Sequence, residues 1–134
     1  MYKETITFND YNDNERTEDF YFDLSEAELI EMEMTTVGGY VEMLNKAIKA
    51  QDHVTLYKAF KAFVSTSYGQ KSADGREFEK SEALTKKFMS TRAYSNLMTR
   101  LCTDAEYASK FVNGIIGAVA PNAPGTIIPT QAAN

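Results

Sequence analysis

The stretch Phe20-Tyr-Phe-Asp-Leu-Ser-Glu-Ala-Glu-Leu-Ile-Glu-Met-Glu-Met34 changes its hydrophobic period in mid-course, and this constrains the fold more than any other part of the chain. Up to Phe22 apolar residues fall two apart, the spacing of a strand. From Ala27 the spacing is helical. Ser25 stands at the switch with Glu28 three residues on, the sequence form of a capping box. Its hydroxyl can accept from the Glu28 amide while the Glu28 carboxylate returns to the Ser25 amide. Leu24 and Leu29 flank the box as a hydrophobic staple, which sets the angle between strand and helix. What precedes Ser25 reads as β and nearly everything after it as α.

Residues 2–8 alternate and are rich in β-formers, with Tyr2, Ile6 and Phe8 on one parity. Residues 17–22 form a second such run, and the turn-rich segment Asn9–Arg16 separates the two. The pattern predicts a β-hairpin with a longer loop. A two-stranded hairpin is marginal alone, so it must pack on helices or pair with another chain. Its open edges are candidates for partner binding by strand addition.

Helices are expected from Glu26 to Met34, stopped by Gly38-Gly39, and from Tyr40 to Ala50, where Val41, Leu44 and Ile48 share a stripe. Asp52 is an N-cap candidate for a third helix to about Ser67. There Leu56, Tyr57, Phe60, Phe63 and Val64 carry the strongest periodicity in the chain. Tyr68-Gly69 reads as its stop. Asp74-Gly75 signals a tight turn, with space for a short hairpin from Ser72 to Phe78. A fourth helix follows Ser81 to about Met89, and Ser90 or Thr91 caps a fifth bearing Tyr94, Leu97, Met98 and Leu101. Thr103-Asp-Ala-Glu106 reads as a second capping box, opening a sixth helix to about Ile116, with Gly114 and Gly117 weakening its last turns. Residues 118–134 hold all three prolines and no periodicity, so a flexible tail is expected, with the apolar pair Ile127-Ile128 inside it. The fold class is therefore α+β, mostly α: one domain over residues 1–117, with a hairpin at 2–22, about six helices over 26–117, and a tail at 118–134.

A chain of 134 residues buries roughly two-thirds of its unfolded surface, so it can fold without disulfide or metal. Its single cysteine, Cys102, can form no internal bridge, and with one histidine, His53, it offers no zinc pattern. No apolar run has the length of a membrane span, and the start Met1-Tyr-Lys-Glu4 does not have the form of a signal peptide. Residues 1–34 carry eleven acids against Lys3 and Arg16, whereas residues 35–134 carry eight acids against twelve bases. An acidic front on a mildly basic body argues against nucleic acid as a partner, since that calls for a concentrated basic face. The same asymmetry would steer a basic partner, although a solvated acidic face is the simpler explanation.

Candidate chemistry is sparse. Asp10, Asn12 and Asn14 match the first ligand positions of a calcium loop, but Glu15 stands where a glycine is needed and Tyr21 where a bidentate glutamate is needed. Turn formation accounts for the same residues. His53 beside Asp52 has no nucleophile near it in sequence, and neighbours on a helix do not face each other. Cys102 has no base placed to activate it and reads as a small buried apolar residue. Glu26, Glu28, Glu31 and Glu33 lack the Glu-x-x-His partner of a carboxylate metal site and read as a solvated face. The methionines Met32, Met34, Met43, Met89 and Met98 fit core packing, or else an adaptable groove. No catalytic residue, cofactor site or metal site is expected.

Several segments in order carry a resemblance. They are Ile6-Thr-Phe-x-Asp10-Tyr, Arg16-Thr-Glu-x-Phe20-Tyr-Phe-x-Leu24, Ala27-Glu-Leu-x-Glu31-Met, Gly38-Gly39, Tyr68-Gly-x-Lys71-Ser-Ala-Asp-Gly75 and Phe111-Val-Asn-Gly-Ile-Ile116. Over residues 2–117 the chain resembles the tail assembly chaperones of long-tailed, siphovirus-type bacteriophages, most of all those infecting Gram-positive hosts. The resemblance implies a non-catalytic protein of the infected host's cytoplasm, absent from the mature virion. It implies binding to the tape measure protein, whose apolar helices it keeps from aggregating, and assistance to the tail tube protein as it polymerises. In many such phages a frameshift makes a longer second form. The partner surface expected here is the hairpin edge with the tail: Ile6, Phe8, Phe20, Phe22, Ile127 and Ile128. Unpaired hairpin edges also allow a homo-oligomer. The alternatives are a structural tail or head-completion protein retained in the particle, and a small phage regulator acting by protein binding.

Overall fold

The computed structural model describes residues 1–119. Strands β1 (Tyr2–Asn9) and β2 (Glu15–Phe22) are followed by helices α1 (Glu26–Thr35), α2 (Tyr40–Ala50) and α3 (His53–Ser67). Two short strands, β3 (Tyr68–Lys71) and β4 (Phe78–Glu79), then lead into α4 (Glu82–Met89), α5 (Arg92–Thr103) and α6 (Ala105–Val119). The expected architecture, an N-terminal antiparallel hairpin followed by six helices, is the one observed among the described residues.

The hairpin is longer and its loop tighter than the composition of Asn9–Arg16 predicts. Tyr2 to Asn9 pair with Phe22 to Glu15, leaving five residues for the turn. The Asp13 amide donates to the Asp10 carbonyl, and the Asp10 amide to the Asn14 carbonyl. Asp13 takes φ 62°, a left-handed conformation that aspartate tolerates better than most residues. The Asp10 carboxylate accepts from the Asn12 and Asn14 amides and from Arg16 Nε at 2.6 Å, so the turn uses the residues that resembled a calcium loop. The Arg16 guanidinium and these amides push its pKa down to about 2.

The strand-to-helix switch at Ser25 forms as read. Its hydroxyl accepts from the Glu28 amide at 3.1 Å and its amide donates to Glu28 Oε1 at 2.9 Å. Leu24 and Leu29 are both buried. Asp52 and Thr91 cap α3 and α5 through the Thr55 and Tyr94 amides. At the start of α6 the expected box is corrected. Asp104 accepts from the Tyr107 amide and is the cap, while Thr103 ends α5 with its hydroxyl on the Thr99 carbonyl. Both residues have capping chemistry, and the length to which α5 runs decides between them.

The end of α3 is also corrected. Gly69 does not cap the helix; Tyr68 and Gly69 open β3, which pairs antiparallel with β2 at Phe22 and Tyr21. The sheet therefore has four strands in the order β1-β2-β3-β4, where the sequence reading had separate hairpins. A Cβ on Gly69 would lie 2.6 Å from the Phe78 ring and 2.7 Å from the Glu79 carbonyl, so the glycine serves close strand approach. The last carbonyls of α3 find partners from elsewhere: Ser67 from the Asp23 amide, Ser65 from the Thr85 hydroxyl and Thr66 from the Lys80 ammonium.

Phe22 organises the core. It is fully buried, with the rings of Tyr68, Phe88 and Phe111 at 5.8, 6.1 and 5.2 Å. Tyr68 stacks on Phe88 at 4.3 Å, and Phe63 links Phe111 to Tyr40. Tyr2 meets α6 at Gly114, where a Cβ would come within 2.4 Å of its ring. Gly114 is thus a docking notch for the first strand as well as a weak helix former.

Candidate functional site

The two edges of the hairpin differ. Helix α5 packs beside β1: Asn96 donates to the Thr7 carbonyl at 3.1 Å, Arg92 to the Asp10 carbonyl at 3.2 Å, and Tyr11 to the Ser90 carbonyl at 3.1 Å. The β2 edge is covered by β3 only at Tyr21 and Phe22. Antiparallel pairs alternate between bonded and non-bonded. The Asp10–Asn14 bond and the β3 contact at Tyr21 fix that alternation, which turns the amides and carbonyls of Thr17 and Asp19 away from β1. These groups have no backbone partner among the described residues. Glu15 to Asp19 are all exposed, and Arg16 bridges to Glu18 at 3.1 Å. A charged edge of this kind resists indiscriminate pairing while leaving its backbone free.

Of the residues expected to meet a partner, Ile6, Phe8 and Phe22 are core residues. Phe20 is half-buried between Phe8 and Phe88. Their side chains face inward because Tyr2, Glu4, Ile6 and Phe8 oppose Phe22, Phe20, Glu18 and Arg16 on the face that meets the helices. What the two strands offer outward is backbone with polar and charged side chains. Ile127 and Ile128 lie outside the described residues.

Apart from Met1 and Tyr11 of the hairpin, the exposed large apolar side chains lie on the helices or the turn after α1. On α1 and the turn after it, Ile30 is 57 % exposed, Met34 78 % and Val37 99 %. Only Leu29 of α1 is fully buried, with Met32 packed against the core. Met98 is buried and Met43 half-buried, as core packing predicts, so Met34 is the methionine that departs from it. Beyond Val37 a shallow groove of about 370 Å³ runs along α2 past Met43 and Lys46 to Thr55. A smaller exposed pair, Val54 and Tyr57, sits on α3. The sequence signal for the α1 stripe was present, since α1 is apolar on more than one side, but it did not say which side faces water.

The acids of α1 are not uniformly solvated. Glu28 pairs with Lys80 Nζ at 2.6 Å. Partial burial opposes its ionisation, but the Lys80 ammonium and the Ser25 amide outweigh this and hold its pKa below the ordinary value. Glu33 accepts from the Val41 amide at 2.7 Å and so serves the start of α2. Glu26 and Glu31 are exposed and without a partner among the described residues. His53 and Cys102 line one depression of about 270 Å³ with Ile48 and Leu56, and no acid lines it with them. Burial pushes the Cys102 thiol up, away from the thiolate form that a nucleophile requires. Among the described residues no group of three metal-ligating side chains converges, and no helix is long and apolar enough to cross a membrane.

A family model described as phage tail assembly chaperone matches residues 1–120. The chain belongs to this family. Comparisons with curated proteins and with solved structures gave no match. Membership gives the chaperone a role in tail assembly, with protein partners in the tail, and supports a non-catalytic function.

Proposed function

We propose that this chaperone binds the tape measure protein of a long-tailed, siphovirus-type phage of a Gram-positive host, keeps its apolar helices from aggregating, and assists the tail tube protein to polymerise around it. It acts in the cytoplasm of the infected cell and is absent from the finished virion. The family match over residues 1–120 carries this reading. The exposed apolar residues of α1 and the free β2 edge are compatible with reversible holding of another chain. The free edge also supports self-association.

Co-expression with the phage's tape measure protein tests it. The expected result is a soluble, co-purifying pair in which an otherwise insoluble tape measure protein is rescued. Absence of a complex, together with stoichiometric chaperone in purified particles by mass spectrometry, would refute the proposal and point to a structural tail component.

A further inference from the structure

We propose that α1 is the docking helix of this chaperone, and that its outward stripe receives an amphipathic helix of another protein whose apolar face is edged by Lys or Arg. Ile30 and Met34 lie one turn apart on α1, Val37 follows in the turn after it, and all three are exposed. Ile30 and Met34 are separated by about 6 Å along α1, one turn of a partner helix. Three large exposed apolar groups within residues 30–37 are denser than the scattered exposure common on protein surfaces. The groove beyond Val37, floored by Met43, extends the same surface along α2.

Charge selects the occupant. Glu26 and Glu31 flank the stripe with no cation to meet them among the described residues, while Glu28 and Glu33 are engaged internally. The last turn of α1 carries no basic residue, so its carbonyl end keeps its negative partial charge. Both features call for cations beside an apolar strip, and a basic-edged amphipathic helix supplies them. The assignment of that helix to the tape measure protein rests on the function proposed above; the surface itself does not.

The test uses the full chain and two synthetic helical peptides of about 20 residues with identical leucine stripes. One peptide carries Lys and the other Glu at the flanking positions. The Lys peptide should bind, slow amide exchange in residues 26–50, and lose about tenfold in affinity on the Ile30→Ser/Met34→Ser variant. The Glu peptide should bind at least about tenfold more weakly than the Lys peptide. Val37→Ser repeats the test at a fully exposed position should the double variant fold poorly. Val54→Ser/Tyr57→Ser on α3 should leave binding unchanged. Equal binding of both peptides, protection elsewhere, or unaltered affinity in the α1 variants would overturn the proposal. So would an oligomer of the wild type that the α1 variants dissociate, since a second copy would then occupy the stripe. Peptide binding at α1 without a tape measure complex would refute the proposed function alone; a tape measure complex untouched by the α1 variants would refute the docking helix alone.

Discussion

Lys80→Met should destabilise the whole domain, because one ammonium ties together three distant pieces of chain. Lys80 Nζ donates to the Asp23 carbonyl at 2.8 Å, to Glu28 Oε1 at 2.6 Å and to the Thr66 carbonyl at 3.1 Å. All three of its protons are used. The Thr66 bond also brings a cation to the end of α3, whose own last turn has no basic residue. Hydrogen bonds involving a charged group contribute about 1.5–3 kcal/mol each when buried. Here the Lys80 side chain is 24 % exposed and that of Glu28 34 %, so water can replace part of the set. A total of about 2–3 kcal/mol is expected, which for a domain of this size lowers Tm by about 10 °C. Glu28→Gln keeps the capping-box oxygen and loses the charge, and should cost about 1 kcal/mol. A double-mutant cycle between the two sites should return a coupling of about 1 kcal/mol. The pH dependence has a definite sign. The folded Glu28 carboxyl lies below its ordinary 4.5, so its contribution is present above that value and is lost as pH falls through the folded one. The gap between wild type and Lys80→Met should therefore hold at neutral pH and narrow on acidification. Thermal melts followed by circular dichroism give the Tm loss, and urea unfolding across pH gives the gap in stability. A Tm loss under about 3 °C, or a gap independent of pH, would show that water serves these carbonyls as well as Lys80 does.

Gly114→Ala should destabilise the wild type by about 1–3 kcal/mol, by driving a Cβ into the Tyr2 ring. On a Tyr2→Ala background it should instead stabilise by a few tenths to about 1 kcal/mol, because only helix propensity remains; thermal melts of the four variants decide, and additivity would refute the notch. Thr17→Pro should be tolerated within about 1 kcal/mol because its amide faces the free β2 edge, whereas Glu18→Pro should cost about 3 kcal/mol or more by removing a β1–β2 ladder bond. Equal melting temperatures for the two would refute the assigned alternation. Burial, and then hydrogen bonds to Glu4, raise Tyr2 and Tyr107 above their ordinary 10.0, so their contribution is present below that pH and lost as pH rises past it. Tyr2→Phe/Tyr107→Phe should flatten the alkaline fall in urea midpoint, and an unchanged slope would remove these hydroxyls from the cause.

Most elements whose signals span three or four residues were legible in the sequence. Ser25 with Glu28 and Asp52 with Thr55 are each complete within one helical turn, so their caps could be read without knowing what surrounds them, whereas for α5 the choice between Ser90 and Thr91 fell to the structure, which uses Thr91. The stripe Leu56, Phe60, Phe63 and Val64 likewise states its own buried face, although Tyr57, read on the same stripe, is exposed. What depends on residues far apart in the chain emerged from packing. Gly69 looked like a helix stop until the Phe78 ring and the Glu79 carbonyl were brought against it. Glu28 looked solvated until Lys80, 52 residues away, reached it. Ile6, Phe8 and Phe22 were expected on a partner surface and are buried in the core, since strand alternation names a face without naming what covers it. Helix α1 posed the same question with apolar residues on more than one side, and packing answered it by burying Leu29 and leaving Ile30 and Met34 in water. Local hydrogen bonds are encoded by short spacing, whereas burial is a property of the whole chain's arrangement.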